Sequence, residues 1–115
     1  MSTYTELIFG ATLKATTPIK VIDTLRFMVG KIREPRKLEY HGMIDPFENG
    51  GATMLRNAYG EWELYSRSKM VNYGCDIEGF LEFILPYIES GSGARDMYAI
   101  VLHEDADEPK IYYLK

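Results

Sequence analysis

Cysteine is nearly absent from this 115-residue chain: Cys75 stands alone, so no intramolecular disulfide and no paired-cysteine metal or redox motif exists. Long apolar runs are absent too. Nothing approaches the roughly 18 to 20 residues needed to cross a bilayer, which excludes a transmembrane helix. The first residues lack the basic start, apolar centre and small-residue cleavage site of a secretory leader, so a cytoplasmic location is expected. Positive charge is scarce: 13 Lys and Arg stand against 17 Asp and Glu, a formal net charge of −4. Nonspecific nucleic-acid binding draws its affinity from neutralised phosphates and is disfavoured here. The signatures of common chemistries are missing as well. There is no HExxH, Gly50-Gly51 is not followed by the Lys-Ser/Thr of a P-loop, and no GxGxxG follows a strand. The expectation is a non-enzymatic protein with no cofactor and no metal.

What is present is the composition of one folded domain, residues 1–115, with 46% hydrophobic, 26% charged and 13% aromatic residues. In Tyr4–Lys14, Leu7, Phe9, Ala11 and Leu13 alternate with Glu6, Ile8, Gly10 and Thr12, the period of a strand. Thr16-Thr17-Pro18 offers a threonine cap and a first-turn proline. From Pro18 to about Val29, Ile22, Leu25, Met28 and Val29 recur at helical spacing. Residues 31–51 have no clear period and read as a long loop, functional, partly helical or packed over an edge of the sheet. Ala52–Tyr59 and Trp62–Tyr73 flank Gly60-Glu61 at hairpin spacing. Then the period changes. Ile77, Phe80, Leu81, Ile84, Leu85 and Ile88 form one helical stripe behind Asp76 as cap, with Pro86 loosening its end. Ser90-Gly91-Ser92-Gly93 reads as a flexible turn, and strands at Met97–His103 and Lys110–Leu114 enclose an acidic turn. The order predicts an α+β fold: an antiparallel sheet with two helices on one face, ferredoxin-like β-α-β-β-α-β with an added C-terminal strand.

The stretches LIFGATLKATTPIKVIDTLRFMVG and KMVNYGCDIEGFLEFILPYIES, with the acidic turn before IYYLK, resemble a family of small bacterial and phage proteins with no assigned function. The resemblance implies a prophage or bacterial cytosolic setting and brings no catalytic residues with it.

Candidate sites follow from faces. In the second hairpin strand Tyr65, Arg67 and Lys69 alternate with Leu64, Ser66 and Ser68, so two cations and an aromatic share the face away from the helices. With Arg56 from the partner strand they form a candidate site for a small anionic ligand such as a nucleotide. Solvated charge or half of a dimer interface explains the same pattern. Charge is also unevenly spread. Lys14–Lys37 carries seven cations against two acids, and Asp76–Glu108 nine acids against one cation, a polarity that suits attraction of another copy or steering of separate partners. Tyr87, Tyr98, Tyr112 and Tyr113 suit a homodimer contact or ordinary strands. Cys75 precedes a helix start, where the dipole lowers a thiol pKa, yet with no identifiable base it reads as a packed residue. The alternative is a small enzyme or metal site built from His41, Asp45 and His103, which requires the two histidines to converge. The favoured expectation is a homodimeric binding protein that captures a host protein or a small anion.

Overall fold

Alternation in β1 (Thr5–Leu13) organises the molecule, because its odd residues Leu7, Phe9, Ala11 and Leu13 are all at most 2% exposed. The computed structural model describes residues 4–29, 50–70 and 76–114. Within them β1 is followed by α1 (Ile19–Met28), β2 (Gly50–Arg56), β3 (Trp62–Met70), α2 (Asp76–Ile84), β4 (Ile88–Gly91), β5 (Met97–His103) and β6 (Lys110–Tyr113). The fold is α+β, a six-stranded antiparallel sheet with two helices. The loop expected at 31–51 and the residues around Cys75 lie outside the described residues.

The core joins the odd face of β1 to Leu64 of β3, Met54 of β2, Ala99 and Val101 of β5, and the stripes of both helices. α1 contributes Val21, Ile22 and Leu25, and α2 contributes Ile77, Phe80, Leu81 and Ile84. Phe9 meets Phe80 edge to face at 5.7 Å between centroids, which fixes α2 over the middle of β1. Pro18 is the N-cap of α1, one residue ahead of the first-turn place expected for it, and no side chain caps the helix. The Thr17 hydroxyl donates instead to the Lys14 carbonyl at 2.7 Å, tightening the turn that leads into the helix.

Strand order along the sheet is β2-β3-β1-β5-β6, with β4 also paired to β1. This differs from a ferredoxin-like sheet with one added strand. β4 is the difference, and it occupies the Ser-Gly stretch expected to be a flexible turn. Pro86 ends α2 at Ile84 and sits in the 3-10 turn Leu85–Tyr87, so Ile88, the last residue of the expected stripe, enters β4 instead. Two glycines permit the pairing. Ser92 donates its backbone N–H to the Gly10 carbonyl at 3.1 Å, and a Cβ at Gly10 would strike the Ser92 side chain. At Gly91 a Cβ would run into the backbone of Asp96 and Met97.

Ser66 and Ser68 lie on the inner face, 7% and 1% exposed. Neither hydroxyl has a hydrogen-bond partner among the described residues, so each carries a desolvation cost without compensation. Ser68→Ala is therefore expected to raise stability by about 1 kcal/mol, read as a higher urea midpoint at constant slope. Gly91→Ala is expected to cost about 2 kcal/mol or more, because backbone rather than a movable side chain blocks the new methyl; an unchanged melting temperature would contradict that placement of β4.

Candidate functional site

The face of the sheet away from the helices carries Glu6, Ile8 and Gly10 of β1, Ile100 and Leu102 of β5 and the odd residues of β3 and β6, while the register shift between Met97 and Ala99 leaves Tyr98 on the helix side. Tyr65, Arg67 and Lys69 all stand on this open face, as their spacing predicts. Tyr65 pairs with Gly10, Arg67 with Ile8 and Lys69 with Glu6. Gly51 has no side chain to fill the space, and a shallow hollow of about 560 Å³ opens beside Tyr65, with Ile8, Thr53, Arg67 and Ser92 among its walls.

Arg56 does not join them. A two-residue turn at Gly60-Glu61 would pair Arg56 with Tyr65, but in the structure Arg56 pairs with Trp62. That three-residue difference is odd, and an odd shift moves a residue to the other face of the sheet. The cause is the wider turn that Asn57 builds. Its side-chain Oδ1 accepts from the backbone N–H groups of Tyr59 (2.9 Å) and Glu61 (3.0 Å), and Gly60 takes φ +80 to complete it. Arg56 therefore belongs to the helix side, where its guanidinium carbon sits 4.9 Å from the Trp62 ring centroid.

The cations that remain on the open face share it with Glu63, which the alternation of β3 already places there, and with Glu6 of β1, which that alternation does not show. Arg67 pairs with Glu6 at 3.3 Å, Lys69 lies 5.3 Å above the ring of Tyr4, and Glu63 shares their face. The Tyr65 hydroxyl donates to Glu63 Oε1 at 2.7 Å, and Asn57 Nδ2 donates to Glu63 Oε2 at 2.8 Å. Arg67 and Lys69 thus share the face with Glu6 and Glu63, and Glu104 lies beside Glu6 and Lys69 at its edge. Beside this polar column the face is apolar. Ile8, Ile100 and Ile111 form one cross-strand row, flanked by Leu102 and Tyr113, which are 42% and 44% exposed.

The other expectations divide. Tyr98 is buried, stacked edge-on to Phe9 and close to Tyr112, and Tyr87 packs on Phe83, so these tyrosines serve the core. Tyr113 alone of the four stands on the open face. His103 Nδ1 lies 3.0 Å from the Thr5 hydroxyl. Its proposed companions His41 and Asp45 lie outside the described residues, and no group of three or more His, Cys, Asp or Glu gathers among the described residues. No described helix is long and apolar enough to cross a membrane.

The hydrogen bond from Tyr65, then that from Asn57, holds the Glu63 carboxyl below the usual carboxylate range, against a smaller opposing effect of burial. A carboxyl depressed on folding stabilises the protein above its unfolded pKa, and that contribution is lost as pH falls through the folded value. Tyr65→Phe is expected to move the Glu63 titration upward in a carboxyl-carbon NMR experiment; an unmoved titration would show that the phenol is not its partner. Comparison of the chain with protein-family models, with curated proteins and with solved structures finds no match in any of the three.

Proposed function

We propose that this chain is a non-enzymatic binding module that works through its open sheet face, and that a second copy of the chain covers that face. The observation that carries this reading is the row Ile8, Ile100 and Ile111 with Leu102 and Tyr113, apolar side chains left half exposed on one side of a sheet whose other side is packed. An uncovered apolar sheet face of this kind marks an interaction surface. Three further features favour self-association. The polar column holds both acids and bases, so a two-fold axis can set each sign against the other. Sheet faces pack on one another at about 10 Å, a geometry open to two copies of this face. Five strands about 4.8 Å apart and about 23 Å long give roughly 550 Å² in projection. Side chains standing on such a face raise its accessible area towards the roughly 800 Å² per partner of a standard interface.

We also read the strand path with β4 set aside as ferredoxin-like; its support is that β1 lies between β3 and β5 and is antiparallel to both. Capture of a small anion on the open face is the weaker reading, because Arg67 already pairs with Glu6, and Lys69 sits over the Tyr4 ring with Glu6 and Glu104 beside it. A foreign protein partner, as the phage-like setting would favour, competes for the same apolar row.

Light scattering behind size exclusion tests the proposal. The expected mass is twice the 13.2 kDa of one chain, falling to one chain in Ile111→Glu and in Leu102→Glu, whose circular dichroism stays unchanged because both positions are already about 40% exposed. A mass of one chain at every concentration up to the millimolar range overturns it, and a foreign protein then becomes the occupant to seek.

A further inference from the structure

On the helix side of the sheet, the end of β1, the first turns of α1 and the β2–β3 turn meet at a corner that concentrates positive charge. Arg56 and Trp62 are cross-strand partners there. Arg26, from the last turn of α1, brings a second guanidinium to the same indole, its carbon 5.5 Å from the ring centroid. Lys14, Arg56 and Trp62 line a cavity of about 160 Å³, together with Thr17, Ile19 and Ile22. Among the described residues neither arginine nor Lys14 makes an ion pair. The nearby acids are Glu61, at the cavity wall with Oε1 3.3 Å from the Asn57 amide nitrogen, and Asp23 on α1.

Two guanidiniums over one ring repel each other, and the negative ring face offsets part of that repulsion. Stacking uses only the flat side of a guanidinium. Its in-plane N–H donors stay available, and their fork matches the oxygens of a phosphoryl group. The local field adds to this, because α1 begins at Pro18 with no side-chain cap and no acidic residue in its first turn, leaving the positive end of its dipole unopposed. The volume decides the ligand's size. It lies below the roughly 300 Å³ at which pockets begin to enclose a drug-sized molecule, so it holds a single charged group with the remainder of the ligand outside.

We propose that this corner binds the phosphoryl group of a small phosphorylated molecule. Arg56 supplies the directed hydrogen bonds and Lys14 a point charge, while Trp62 holds the Arg56 guanidinium in place and Arg26, on the same ring, adds to the local positive field. The site lies on the opposite side of the sheet from the apolar row, so its occupancy does not depend on self-association.

Trp62 is the only tryptophan in the chain, and its emission therefore reports the site directly. Titration with inorganic phosphate and with glycerol 3-phosphate, against chloride at equal ionic strength, is expected to change that emission saturably. Tighter binding of glycerol 3-phosphate assigns the ligand as a phosphate ester, and tighter binding of phosphate assigns the free oxyanion. Arg56→Ala is expected to lose about tenfold or more in affinity and Arg26→Ala less, with Lys110→Ala, at the far edge of the sheet, unchanged. Arg56→Lys keeps the charge without the planar fork and is expected to recover only part of the loss, which separates binding from misfolding. A response that stays linear, or full affinity in Arg56→Ala, overturns the proposal.

Discussion

Strand β1 is hydrogen-bonded along both edges, to β3 on one side and to β5 and β4 on the other, and the rest of the structure depends on that double pairing. A strand with no free edge cannot change register without breaking two ladders, so its alternation fixes which side chains of every neighbour face the helices. The odd residues of β1 make the core. Its even residues Glu6, Ile8 and Gly10 become the centre of the open face, and the charge and hollow of that face are set by β1 as much as by β3. Gly10 has two roles in this arrangement. Its bare Cα leaves room for Ser92 on one side, and a Cβ there would stand 3.1 Å from Tyr65 on the other.

Much of this was legible in the sequence, because the two periods are strong where burial is one-sided. Alternation in β1, the stripe of α2 from Ile77 to Ile84 and the inward Ser66 and Ser68 follow from side-chain direction alone. β4 was not legible. Ser-Gly-Ser-Gly has turn composition, and its pairing rests on Gly10, about 80 residues earlier in the chain, whose missing Cβ is a tertiary fact rather than a local one. The misplacement of Arg56 has a different origin. The strands flanking the hairpin were readable, but the face of Arg56 depends on turn length modulo two, and turn length depends on whether an Asn57 side chain closes the loop. That asparagine is the residue that could have revealed it.

The open face and the Trp62 corner show why total charge says little about where an anion can bind. The chain as a whole is acidic, with a net charge of −4. On the open face opposite charges sit on adjacent strands, where Arg67 and Glu6 pair at an exposed position worth little to stability but sufficient to cancel the local field. At the corner the arginines converge on an indole instead of on acids. A cation held by a ring quadrupole keeps its full charge and its hydrogen-bond donors, whereas a cation held by a carboxylate shares both. The difference between the two surfaces is therefore the kind of partner, not the number of basic residues.

Asn57 connects the two. Its carbonyl oxygen accepts the turn N–H groups that bring Arg56 opposite Trp62, while its amide donates to Glu63 on the open face and lies near Glu61 at the corner cavity. One neutral side chain thus sets the register of the hairpin and stands between two carboxylates on opposite surfaces. A carboxylate at position 57 would keep the acceptor that closes the turn yet add a third negative charge with no donor to separate the other two. A shorter or apolar residue would release the turn and with it the face on which Arg56 is presented. The two-surface arrangement therefore rests on an amide specifically, since only an amide offers an acceptor to the backbone and donors to the acids at once.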